Sequence, residues 1–255
     1  MQIHHLYIGY RQRGGMIKTV CSDIHTTLPT DSLTCLIGPN GVGKSTLMRT
    51  LSGFQPPLQG EVMIDGKSVQ SLSASDMARR VGVVLTSRVQ VSNMTVRELV
   101  GIGRSPYTNF WGTLHEKDAQ IVEASMQQVG ILSLSDRKTG TLSDGEKQKT
   151  MIAKALAQQT PYILLDEPTA FLDYPSKVEL LQMLHHLSHE QHKTILLSTH
   201  DVELALQLAD YLWLILDGKL LTGTPQQLAE EGCISQFLSG KNITFDAQRL
   251  QIHVQ

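Results

Sequence analysis

The chain has 255 residues, with 22 lysines and arginines against 24 aspartates and glutamates, a formal net charge of −2 and 18% charged residues. That length buries a full core and suits one domain with an inserted subdomain, while the charge balance gives no global basic footprint for DNA or RNA, so nucleic acid is disfavoured as a partner. No run of about 18 uninterrupted apolar residues occurs, and Met1-Gln2-Ile3-His4-His5 does not begin a signal peptide, so a soluble, cytosolic chain is expected.

Two or three strands are expected up to Ile64. One is Leu33–Ile37, a short apolar run that leads into Gly38-Pro39-Asn40-Gly41-Val42-Gly43-Lys44-Ser45-Thr46. This segment fits G-x-x-x-x-G-K-[ST], and the helical pattern of Leu47-Met48-Arg49-Thr50-Leu51 after it completes a strand, glycine loop and helix. Glycines 38, 41 and 43 let several N–H groups turn inward on an anion at the positive end of the helix. Lys44 is expected to reach the β- and γ-phosphates of a nucleotide, and Ser45 to offer its hydroxyl to Mg²⁺.

A helix over 73–80 and a strand over 81–85 follow, and from about 87 to 157 the pattern is mostly helical, with helices over 118–129 and 146–158. Tyr162–Asp166 then reads as a buried parallel strand whose carboxylates emerge at its C-terminal end, where open α/β sheets place ligands. Asp166 is expected to hold Mg²⁺, directly or through a water, and Glu167 to polarise the hydrolytic water as general base, with Pro168 ending the strand. An amphipathic helix over 176–188, the strand Thr194–Ser198, a helix over 202–209, a strand over 212–216, a turn at Asp217-Gly218 and a helix over 225–231 come next. Beyond Gly240, Ile243-Thr244-Phe245 and Leu250-Gln251-Ile252 read as short strands.

Leu142-Ser143-Asp144-Gly145-Glu146, followed by Lys147-Gln148-Lys149, Ala153 and Ala155-Leu156-Ala157, makes the chain resemble the nucleotide-binding subunits of ATP-binding cassette (ABC) transporters over nearly its whole length. The resemblance implies an α/β fold: a P-loop NTPase core, with a RecA-like parallel sheet plus antiparallel strands, carrying an inserted helical subdomain. The core would be residues 1–86 and 158–223, the helical subdomain 87–157 and a C-terminal extension 224–255. It further implies ATP and Mg²⁺ as ligands, with Tyr10 against adenine, residues 38–46 around the phosphates, His200 as the switch touching the γ-phosphate, and Asp173 in the dimer-contact loop Ala170-Phe171-Leu172-Asp173.

Physically, Ser143 caps a helix whose first-turn N–H groups form a second anion site. In the family that site completes the pocket of a neighbouring copy, so two ATP molecules lie between two head-to-tail subunits. Two residues depart from the usual signature: Asp144 stands for a glycine and Glu146 for a glutamine. A unit charge ~6 Å from a phosphate charge costs on the order of 3 kcal/mol at an effective dielectric of about 20. Both side chains are therefore expected to point away from the nucleotide, with Lys147 and Lys149 offsetting them. A third departure puts Thr86 where the family has a glutamine that contacts Mg²⁺; Thr86 keeps an oxygen for that role, and Gln90 is the other candidate.

Met94-Thr95-Val96-Arg97-Glu98-Leu99-Val100, then Gly103-Arg104-Ser105-Pro106-Tyr107 and Thr108-Asn109-Phe110-Trp111-Gly112, look like the subgroup serving import of ferric siderophores, haem and cobalamin. This implies a homodimer peripheral to the cytoplasmic face of the membrane, beneath permease subunits fed by an extracytoplasmic binding protein. An exporter subunit and a soluble non-transport ATPase are the alternatives. Tyr107, Phe110 and Trp111 suit either a groove for a permease helix or the packing of the helical region itself. Cysteines 21, 35 and 233 are too few and too spread for a disulfide frame, and Cys35 reads as core. His185, His189 and His192 share one helix face opposite Leu180, Leu184 and Leu187; with no carboxylate at ligand spacing, a solvated face is expected rather than a metal site.

Overall fold

The computed structural model describes residues 1–11, 15–85, 93–109, 112–240 and 243–254. In chain order the elements are β1 (Gln2–Arg11), β2 (Ile17–Thr27), β3 (Leu33–Ile37), α1 (Lys44–Leu51), β4 (Gln59–Ile64), β5 (Lys67–Ser68), α2 (Ala74–Ala78) and β6 (Val81–Val84). Then come α3 (Val96–Gly101), a 3₁₀ segment (Ile102–Tyr107), α4 (Glu116–Gln128), α5 (Asp144–Ala157), β7 (Tyr162–Asp166), α6 (Tyr174–Glu190), β8 (Thr194–Ser198) and α7 (Val202–Leu208). The chain ends with β9 (Tyr211–Leu216), β10 (Lys219–Gly223), α8 (Pro225–Glu230), α9 (Cys233–Leu238), β11 (Ile243–Asp246) and β12 (Gln251–Val254).

Four strands, not two or three, form before Asp65. The pairing of β1 with β2 carries register shifts at three places, which break the period of two that reveals a strand in sequence. These two strands join β4 and β5 in an antiparallel sheet ordered β2-β1-β4-β5. The second sheet is ordered β10-β9-β3-β8-β7-β6, parallel throughout except for β10, which returns antiparallel along β9.

Alternation along the parallel strands divides the core in two. Leu36, Leu164, Leu196, Trp213 and Ile215 face α1 and the inner sides of β1, β2 and β4, and Trp213 is fully buried among them. Cys35, Ile37, Ile163, Leu165, Ile195 and Leu197 face the other way, onto α5, α6 and α7. Being buried on both faces is why β3, β7 and β8 read as unbroken apolar runs. Cys35 belongs to this core, and burial pushes its thiol well above the usual range; the Cys21 thiol is pushed up to about 11 for the same reason.

The helices between β6 and β7 are tied to the sheet at one corner. Arg79 donates through Nε and Nη2 to the Pro106 carbonyl at 3.2 and 2.8 Å, and Gln158 Nε2 donates to the Val81 carbonyl at 3.1 Å. Tyr107 lies between two guanidinium groups, 4.2 Å from Arg104 and 5.4 Å from Arg79 at the ring centroid, and its hydroxyl donates to the Gln158 carbonyl at 3.1 Å. These contacts hold Tyr107 against the helical region while its ring stays exposed; Phe110 and Trp111 lie outside the described residues.

Candidate nucleotide site

The C-terminal ends of β3, β8 and β7 are neighbours in the sheet, and each carries part of the site. This is the crevice in which open parallel sheets receive ligands. The loop after β3 turns through Gly38 at φ 150°, Gly41 at φ 74° and Gly43 at φ 111°. A side chain at Gly43 would collide with Val20 of β2, and one at Gly38 would come within 2.7 Å of the Ile215 carbonyl, so close packing as well as backbone conformation requires glycine at both. Lys44 is buried at the first turn of α1, and its Nζ donates to the carbonyls of Gly38 at 2.9 Å and Pro39 at 3.3 Å. Burial lowers its pKa, an effect opposed by the charges of Glu167 and Asp166.

Ser45 and Asp166 meet, with Ser45 Oγ donating to Asp166 Oδ1 at 3.2 Å. Ser198, at the end of β8, donates to the same oxygen at 2.7 Å and accepts from the Glu167 N–H at 2.9 Å. One hydroxyl thus fixes both carboxylate residues. Sequence reasoning passed over Ser198; a lone polar residue at the end of an apolar strand beside the acids was the available signal. Glu167 has φ 52°, which turns the chain immediately after the strand and brings its carboxylate to His200. His200 Nε2 lies 2.6 Å from Glu167 Oε1, while its Nδ1 lies 3.3 Å from Lys44 Nζ. Since an ammonium only donates, Nδ1 accepts and Nε2–H donates to the carboxylate.

Tyr10 at the end of β1 reaches the loop, its hydroxyl hydrogen-bonded to Thr46 Oγ1. Nearly half of its surface is exposed, so a ring face is open beside the phosphate loop. Thr169, Lys177 and Asp201 brace the loop after β7: Asp201 accepts from Thr169 at 3.0 Å and from Lys177 at 2.9 Å. Asp173 caps α6, accepting from the Ser176 N–H at 3.1 Å, and Phe171 and Tyr174 beside it are exposed.

Residues 142–146 form the start of α5. Ser143 Oγ accepts from the Glu146 N–H at 3.2 Å and Glu146 Oε2 accepts from the Ser143 N–H at 2.7 Å, a reciprocal capping box. This corrects one expectation. Lys147 pairs with Asp144 at 3.5 Å, but Lys149 reaches away to Glu179 at 2.7 Å, and Glu146 is offset by Arg137 at 3.2 Å. Glutamate at this position is a helix cap, which explains why an extra carboxylate is tolerated there. Gly145 leaves Leu172 of the 170–173 loop against the same helix start. Thr86 and Gln90, the two candidates for metal sensing, lie outside the described residues.

The family model described as ABC transporter matches residues 21–170. The chain is 38% identical over 96% of its length to an ABC transporter ATP-binding protein of Methanocaldococcus jannaschii, covering 83% of that protein. It is 37% identical to the ferric enterobactin transport ATP-binding protein of Escherichia coli, over 82% of this chain and 78% of that one. It is 35% identical to the iron(3+)-hydroxamate import ATP-binding protein of Bacillus subtilis, over 85% and 78%. Among solved structures, cbiO1 of Clostridium perfringens, part of the cbiONQ ABC transporter complex, superposes with a TM-score of 0.78 at 27% identity, covering 94% of each chain. A dimeric bacterial ABC transporter cassette superposes at 0.76 and 23% identity over 88% of this chain and 98% of its own, which speaks for the fold. Motif, fold and relatives agree, and the chain belongs to the ATP-binding proteins of the ABC transporter family.

Proposed function

We propose that this chain is the ATP-hydrolysing subunit of an importer for an iron chelate or a corrinoid, acting as a homodimer beneath a membrane permease. The observation that carries the hydrolytic part is the meeting of Lys44, Ser45, Asp166, Glu167 and His200 at the ends of three adjacent strands. The cargo class rests on relatives named for ferric enterobactin, hydroxamate and cobalamin import. Residues 1–86 and 158–223 are taken as the catalytic core, 87–157 as the helical part and 224–255 as an extension. Among the described residues no helix is long and apolar enough to cross a membrane.

In this reading the loop N–H groups and Lys44 hold the phosphates, with Lys44 exchanging its carbonyl partners for phosphate oxygens. Ser45 Oγ and Asp166 Oδ1, hard oxygens 3.2 Å apart, fit Mg²⁺, which is held by few protein ligands. When bound, Mg²⁺ neutralises the β- and γ-phosphate oxygens. Glu167 takes the proton of the attacking water, and His200 orients that carboxylate until the γ-phosphate claims the imidazole. Tyr10 stacks on adenine. A second copy's residues 142–146 and Asp173 close the site. Ser198→Ala removes the hydroxyl that fixes Asp166 and Glu167, so Mg²⁺-dependent turnover is expected to fall roughly 10- to 100-fold, measured by phosphate release across a Mg²⁺ titration.

The importer assignment is tested by recovering the tagged chain from gently solubilised native membranes. Co-recovery of a polytopic permease and capture of a ferric chelate or corrinoid by its binding protein are expected. Recovery of an active ATPase with no membrane partner would overturn the importer role while leaving hydrolysis intact.

A further inference from the structure

At the opposite end of the sheet from the nucleotide site, α6 and the start of β9 bring together His185, His189 and Asp210. The three histidines reach solvent, as a solvated face requires, but the fold adds a neighbour that the helix period could not show. A carboxylate that is distant in sequence stands beside the first two, while His192 turns to Asp31 at 3.4 Å. The separation from the ATP site is the length of β3, since Asp210 Oδ2 accepts from the Leu33 N–H at 2.7 Å and the phosphate loop begins after Ile37.

We propose that His185, His189 and Asp210 form a binding site for a divalent transition metal of the zinc class, independent of nucleotide. His185 Nε2 and His189 Nε2 lie 3.7 and 3.2 Å from the same oxygen, Asp210 Oδ1. Metal–ligand distances of about 2.0–2.1 Å at tetrahedral angles place ligand atoms about 3.3 Å apart, so the two histidine-to-carboxylate separations are close to those of zinc ligands, and all three donor atoms lie within 4.8 Å of one another. Histidines at i and i+4 on one helix face are a recurrent metal-binding pair.

The surroundings also orient His189 and Asp210. His189 Nδ1 lies 2.9 Å from the His185 carbonyl and 3.1 Å from Ser188 Oγ, contacts that orient the ring with Nε2 facing Asp210. His189 Nε2 stands 3.2 Å from a carboxylate oxygen, a separation that suits either a direct hydrogen bond or a shared metal ion. Asp210 is oriented in turn, with Oδ2 held by Leu33 and Oδ1 turned to the histidines. Ring orientation through the non-ligating nitrogen and a held carboxylate are the usual outer-shell supports of metal sites. The histidines are partly exposed, so a fourth position is open to water or to another ligand.

The test is zinc titration of the untagged full chain in the presence of Mg-ADP, by competition with a chromophoric chelator, with cobalt(II) as an absorption probe of geometry. One equivalent per chain is expected, with a tetrahedral cobalt spectrum and a zinc-dependent rise in the melting temperature. His185→Ala and His189→Ala should each weaken zinc binding at least about tenfold, and His192→Ala should leave it unchanged. Because Asp210→Asn disturbs the start of β3, the histidine variants decide the matter, with circular dichroism confirming that they fold. Absence of stoichiometric zinc binding, as a proton-bridged pair would give, or equal affinity in the His185→Ala/His189→Ala double variant, overturns the proposal.

Discussion

Glu167→Gln is expected to abolish steady-state ATP turnover while leaving ATP binding intact, so that the variant accumulates as an ATP-bound dimer. The change keeps the shape and leaves an amide oxygen to accept from His200 Nε2–H, now 2.6 Å from Glu167 Oε1. What it removes is the carboxylate proposed to accept the proton of the attacking water. Loss of a positioned general base is worth roughly 10²- to 10⁴-fold. The phosphate loop, Lys44, Ser45 and Asp166 remain, so on the proposed shared site the triphosphate is expected still to bind and to bridge two copies. Single-turnover hydrolysis and sedimentation with ATP measure both halves. A variant that turns over at the parent rate would remove Glu167 from the role of base.

Arg104→Ala is the second large effect, and it acts on stability. Arg104 and Asp118 are both buried, joined at 2.9 Å between Nε and Oδ1, and Nη1 also donates to the Ala157 carbonyl at 2.8 Å and to Gln159 at 3.0 Å. Truncation strands a buried carboxylate and orphans the last carbonyl of α5, the helix that starts with the signature segment. Breaking one partner of a buried pair costs about 3–5 kcal/mol. For a chain of this size each kilocalorie lowers the melting temperature by roughly 2–4 °C, so a fall of about 10 °C is expected.

The pH dependence follows in sign. The hydrogen bond from Arg104 is the first cause holding the Asp118 carboxyl below its usual range, opposed by burial. Its contribution to stability is present above the ordinary carboxylate pKa and is lost as pH falls through the lowered one. Arg104→Ala should therefore move acid unfolding to higher pH. Melts across an acid series check this; an unchanged acid midpoint would mean that Asp118 is held by other groups.

How much of this was legible in sequence depended on the range of the interactions. The phosphate loop, Asp166, Glu167 and the strands β3, β7 and β8 could be read because each is a local pattern: glycine spacing, or an apolar run buried on both faces. β10 was missed although Asp217-Gly218 was read as a turn. The left-handed pair at φ 51° and 73° is a hairpin turn, and a return strand should have been inferred from it. The six-residue α9 is too short to show a helical period. Ser198, the Arg137 partner of Glu146 and the Asp210 partner of the two histidines were hidden for a common reason. Each is a contact made by tertiary folding between segments whose own sequences do not announce it.

The most direct measurement is Mg²⁺-dependent phosphate release from ATP by the purified full chain as a function of its own concentration. A site completed by a second copy predicts a rate that rises with the square of the chain concentration at low concentration and becomes linear once dimers saturate. A rate strictly proportional to concentration throughout, from a chain that sedimentation shows to be monomeric with ATP, would contradict the shared site.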